Sequence, residues 1–168
     1  MTLSQFISSF SELMARLVGH SQGESFFWPV AGAGLGVFFV LSWVLARTAF
    51  GNDTSMGTSL MVFGIQLGLG LVLAAVAGPL AHEHVANPSW DLPIVLAAGI
   101  GGCVLFGMVL NRIFLGMKFT ATVFVLGLAL SLSWVAMAGA RMSVDLFEAG
   151  AANVQVNKER KDSRIPKR

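Results

Sequence analysis

The chain has 168 residues, 55% of them hydrophobic and 12% charged, with a mean hydropathy of +0.73. Soluble domains carry about 45–50% apolar and about 25% charged residues. The balance excludes a soluble enzyme domain and a disordered chain, and a single cysteine excludes a disulfide scaffold.

The expected architecture is all-α. It is a polytopic membrane protein with four transmembrane helices, an N-terminal amphipathic helix and a disordered basic C-terminal tail. Residues 1–22 form the first element. Leu3, Phe6, Ile7, Phe10, Leu13, Met14 and Leu17 recur at three- and four-residue steps, with Ser4, Ser8, Ser11, Glu12 and Arg16 between them. That period predicts an amphipathic helix, with Thr2 as its cap and Gln5 as the box partner. A basic start, a continuous apolar run and a small-residue cleavage site are all missing, so it does not read as a signal peptide. Two readings stay open: the helix lies flat in the membrane interface, or it docks on another protein. Its polar face has one basic residue, so apolar burial supplies the binding in either case.

Residues 23–141 form the transmembrane domain. No Asp, Glu, Lys or Arg occurs between Glu24 and Arg47, Asp53 and Glu83, Asp91 and Arg112, or Lys118 and Arg141, giving windows of 22, 29, 20 and 22 residues. A hydrocarbon core of ~30 Å needs about 20 helical residues. Backbone groups in lipid must pair internally, so each window is a helix. The spans fall near 26–46, 57–81, 92–115 and 119–140. Pro29 and Pro93 sit in first turns, where a missing N–H costs little, and Pro79 after Gly78 marks the fraying end of span two. Trp28, Trp43 and Trp90 lie near span ends. The connection Gly116–Lys118 is so short that spans three and four form a tight antiparallel hairpin.

Residues 142–168 form the polar to basic tail. Lys158–Arg168 has six basic and two acidic residues, a net +4, and reads as a solvated retention and topology signal, with contact to anionic lipid headgroups or an acidic partner as its sharper role. It has no aromatic residue and no nucleic-acid motif. Four spans put both termini on one side; the total of basic residues favours the cytoplasm for that side, residues close to the membrane nearly tie, and the second connection, without Lys or Arg, argues the other way. The compact four-span layout points to a bacterial inner membrane.

Shifting the chain by 65 residues aligns span one with span three, with ten identities between Val30 and Ala75. Ala33-Gly34-Leu35-Gly36 falls on Ala98-Gly99-Ile100-Gly101. A true repeat would be a duplicated two-helix hairpin in parallel orientation.

Close packing on small residues drives helix association in lipid. The candidates are Gly32 and Gly36, Gly64 and Gly68, Gly99, Cys103 and Gly107, and Gly127 with Ser131. Gln66, Gly70 and Ala77 project from span two roughly opposite Gly64 and Gly68, so that span carries two such faces.

Gln66 is the amide near the middle of a span. It makes an interhelical hydrogen bond or lines a polar path. His82 and His84 flank Glu83 and are weak metal candidates, since residues two apart do not share a helix face. No metal, cofactor or catalytic residue is assigned. The paired cysteines of thiol-oxidising membrane enzymes and the intramembrane histidines of four-helix cytochromes are missing.

The expected function is a non-catalytic integral membrane subunit that packs within or scaffolds a larger membrane complex of secretion, respiratory or transport type. Its partners are the bilayer and other membrane subunits. The alternative is a small homo-oligomeric transporter or channel with a path near Gln66 and Ser131.

Overall fold

The computed structural model describes residues 3–48, 51, 55–84 and 91–162. They form five helices: α1 (Leu3–Val18), α2 (Phe27–Thr48), α3 (Met56–His84), α4 (Asp91–Phe114) and α5 (Phe119–Asp162). Four of them, α2 to α5, are long and apolar enough to span a membrane.

Local chemistry sets the ends. Gly19 follows α1 with φ +80°, and its N–H donates to the Ala15 carbonyl at 2.8 Å. That is a left-handed C-terminal cap open to glycine. Ser55 caps α3, its Oγ accepting from the Thr58 N–H at 3.2 Å. The α4–α5 hairpin turns through Gly116 at φ +62°, and the Leu115 and Met117 amides both donate to the Asn111 carbonyl. Leu115 and Met117 are themselves buried, which pins the turn to the bundle.

The largest core joins Phe38 and Ala46 of α2, Val62 and Phe63 of α3, and Ala121, Val125, Leu126 and Ala129 of α5. It lies where α2 and α4 end and α3 and α5 begin. At the opposite end Val18 packs with Phe27, Val30 and Ala31, with Met137 and Ala140 against them. The most extensive helix contacts are α3 with α4 and α2 with α5. The 65-residue shift exchanges α2 with α4 and α3 with α5, and so exchanges these two contacts.

Three expectations change. The apolar side of α1 meets this chain's own bundle: Leu13 packs on Ala74, Ala75 and Val95, with Phe6, Phe10 and Leu17 beside it. Ser4, Gln5, Ser8, Glu12 and Arg16 are exposed, and so is Ile7. Second, α3 runs through Pro79 to His84 instead of ending there. A proline removes one N–H and crowds one turn, which a long apolar helix packed among neighbours absorbs. Third, α5 does not stop near residue 140: it is one helix of 44 residues reaching Asp162. The segment expected to be without structure is helical that far, while residues 163–168 lie outside the described residues. Elongating an existing helix needs no new nucleus, and no proline occurs between Phe119 and Pro166. Thr2 and Trp90 also lie outside the described residues.

Candidate functional site

Gln66, ten residues into α3, is fully buried. Its Nε2 donates to Oδ1 of Asn111 on α4, also fully buried. In an apolar surround each amide is the other's natural partner. The pairing is half complete, since Gln66 Oε1 and Asn111 Nδ2 find no hydrogen bond among the described residues. The same core holds Ser42 of α2 and Thr122 of α5, both fully buried, whose hydroxyls also lack one. Polar atoms from all four long helices therefore sit in the half of the bundle that holds the α4–α5 hairpin.

Below the amide pair, α3 and α4 approach almost backbone to backbone. A β-carbon on Gly70 would lie 2.7 Å from the Gly99 carbonyl oxygen, and one on Gly102 would lie 3.4 Å from the Gly70 Cα. One on Gly99 would lie 3.1 Å from Cβ of Ala74. Cys103 is buried in the same seam and its Sγ donates to the Gln66 carbonyl at 3.4 Å. One turn further, a β-carbon on Gly107 would meet Leu126 Cδ1 at 2.6 Å and Gln66 Oε1 at 3.2 Å. Glycine at position 107 is thus what gives the Gln66 carboxamide its room.

The small residues singled out from sequence divide. Gly99, Cys103 and Gly107 lie in the α3–α4 seam, with Gly102 beside them on α4 and Gly70 facing them from α3. Gly64 has only ordinary contact with Phe39 at 3.7 Å. Gly32, Gly36, Gly68 and Gly127 meet nothing within 4 Å and stand at the outer surface or in gaps. Ser131 is exposed and donates to the Gly127 carbonyl of its own helix at 2.8 Å. No hydrogen bond joins Gln66 and Ser131 among the described residues: the first pairs with Asn111 of α4 and the second with its own helix. Ser133 instead reaches α2, donating to the Gly34 carbonyl at 2.7 Å.

Asn111 is the residue that sequence reading passed over. It stands beside Arg112 at the end of a span, where an amide looks like an interfacial residue. Its place in the 20-residue charge-free window, as a second amide in an apolar span, was the available clue.

Between the α2–α5 pair, the α3–α4 pair and α1 lies a cavity of about 480 Å³. All five helices line it, among them Leu17 of α1, Phe38 of α2, Leu71 of α3, Val95 of α4 and Met137 of α5. At the α1 end, Glu24 accepts from Ser21 Oγ at 2.9 Å and pairs with His20 Nδ1 at 2.8 Å. Those bonds, that of His20 foremost, hold the Glu24 carboxyl below the usual glutamate range. At the other end Arg47 Cζ stands 5.9 Å from the Trp43 ring centroid, a cation–π pair.

The side chains of His82 and His84 lie outside the described residues. Among the described residues no three His, Cys, Asp or Glu side chains converge as a metal site. No protein-family model, no curated protein and no solved structure matches the chain, so its function is argued from the geometry alone.

Proposed function

We propose that this protein is a non-catalytic integral membrane subunit that packs within a larger multi-protein membrane assembly. The observation that carries the reading is the far half of α5. Twenty-two residues, 119–140, suffice to cross the hydrocarbon, and the helix then runs on through 22 more to Asp162. At ~1.5 Å per residue that is a rod of about 33 Å beyond the apolar span. Met142, Leu146, Phe147 and Val154 on this rod are 66%, 72%, 69% and 69% exposed. At ~100° per residue they fall within an arc of about 140°. Arg141, Asp145 and Glu148 lie on the opposite arc. The apolar stretch of α5 by length and composition reaches Ala152, but Arg141, Asp145 and Glu148 set the hydrocarbon boundary of this reading near Arg141, and a helix beyond that boundary with four large apolar side chains along one side has a surface made to be covered.

The outward-facing glycines of α2, Gly32 and Gly36, add a second surface, within the membrane, where a helix of another subunit can approach closely. The α1 contact with the chain's own bundle leaves its serine-rich side outward. On this reading the membrane is a bacterial inner membrane with both termini in the cytoplasm, which places the α5 rod there too.

The alternative is a homo-oligomeric transporter or channel. The observation that favours it is that Gln66 Oε1 and Asn111 Nδ2 find no hydrogen bond among the described residues, an acceptor and a donor inside the bundle. Purification in mild detergent separates the two. Stoichiometric unrelated partners, lost when Leu146 and Phe147 are both changed to serine, support the subunit. A homo-oligomer that exchanges solute across liposomes overturns it.

A further inference from the structure

We propose that the cavity beneath α1 holds one acyl chain of an anionic phospholipid, with Arg141 meeting its phosphate. The cavity lies within the apolar length of the four long helices, and its volume of about 480 Å³ is in the roughly 300–1,000 Å³ range of ligand sites. Its walls offer almost nothing polar. Ser131 and Ser133 line it, but their hydroxyls are spent on the Gly127 and Gly34 carbonyls. Cys103 lines it with its thiol directed to the Gln66 carbonyl. Water needs two to four polar partners to settle in such a space, and among the described lining side chains the Trp134 indole N–H at the exposed rim is the polar group left without a hydrogen bond, too few to hold it. Hydrocarbon is the chemistry that fits.

The cavity also has an open side. Leu35, Ile100 and Trp134 line it and are 39%, 52% and 49% exposed, so in a bilayer its mouth faces lipid tails. A chain can enter sideways without leaving hydrocarbon. Such entry gains little from the hydrophobic effect, and close packing with a fixed headgroup supplies the selectivity.

The headgroup contact lies at the α1 end. Val18 lines the cavity, and the next residue is Gly19. The Arg141 guanidinium lies against it: a β-carbon on Gly19 would be 2.5 Å from Nη1. Arg141 is also one helical turn beyond Met137, another lining residue. It is the first charge after the 22-residue apolar window of α5, which is headgroup depth. Arg141 makes no ion pair among the described residues: Glu24 is held by His20 and Ser21, and Glu12 by Arg16. Asp145, one turn along α5, is not within ion-pair distance. An exposed guanidinium fork at the α1 end of an apolar slot, next to the lining residues Val18 and Met137, matches a phosphate whose tail occupies that slot.

The inference rests on the bundle being embedded in a bilayer. Release of the chain by alkaline carbonate tests that embedding separately from any lipid adduct. The full chain is placed in nanodiscs of equal phosphatidylglycerol and phosphatidylcholine and ejected for native mass spectrometry. One phosphatidylglycerol per chain is expected, retained over phosphatidylcholine. Arg141→Gln brings the two lipids to parity, while neutralising the basic residues of 158–168 leaves the preference intact. Ser131→Phe, which fills the cavity, loses the adduct. Leu35→Trp at the exposed rim does the same if the first variant fails to fold, judged by helicity and a monodisperse elution.

The proposal is overturned by no adduct, by equal retention of both lipids in the wild type, or by a preference that follows the tail instead of Arg141. It is also overturned by an adduct that survives in a folded cavity-filling variant.

Discussion

The Gln66–Asn111 pair makes the sharpest energetic prediction. Gln66→Leu removes the only hydrogen bond of the Asn111 carboxamide seen among the described residues and leaves that group buried. An orphaned buried amide costs about 1–3 kcal/mol. Asn111→Leu does the converse to Gln66. Changing both to leucine removes the polar demand together with its supply, which is close to neutral when shape is kept. The two single variants should each lose about 1–3 kcal/mol, and the double variant less than their sum. The coupling should be about 0.6–2 kcal/mol, the range for interhelical hydrogen bonds in membranes. Reversible unfolding in mixed micelles, followed by helicity, measures all four corners of the cycle. Strict additivity would refute the claim that this bond joins α3 to α4. Complex assembly should survive Gln66→Leu under the subunit reading, whereas loss of solute flux belongs to the transporter reading.

Other variants test the remaining contacts. Gly70→Ala puts a methyl 2.7 Å from the Gly99 carbonyl oxygen, so α3 and α4 must separate. A loss of about 1–3 kcal/mol is expected in the same unfolding assay, against about 0.5 kcal/mol or less for Gly68→Ala, which meets nothing. Leu13→Glu inserts a charge where α1 packs on Ala74 and Val95. It should release α1 to proteolysis while α2–α5 stay folded. Glu24 has a folded pKa below its unfolded one, owing first to His20 and then to Ser21. Its contribution to the α1–α2 turn is therefore present above the unfolded value and lost as pH falls through the folded one. Protease nicking between Gly19 and Phe26 should rise in that acidic window, and Glu24→Gln should show the nicking already at neutral pH.

The spans were legible because their physics is one-dimensional. A charge-free run long enough to cross hydrocarbon must be a helix, and the ends of α2 and α4 follow from Arg47 and Arg112. Where α5 ends was not legible, because composition alone does not show that Arg141–Asp162 inherits its helix from the span before it. Which glycines touch was only half legible. Periodicity placed Gly64 and Gly68 on one side of α3 and Gly70 on another, but choosing the side that meets α4 requires the partner's surface. Gly99 and Gly102 make that choice. Asn111 escaped because burial of an amide near a span end depends on the neighbouring hairpin, which Gly116 and the buried Leu115 and Met117 fold back over it.

The exposed apolar side of the α5 rod carries the functional account, so a photo-crosslinking residue at position 147 in native membranes tests it most directly. The account predicts one dominant adduct to a different protein, abolished when Leu146 and Val154 are changed to serine. Adducts to lipid alone, to a second copy of this chain alone, or to nothing would contradict it.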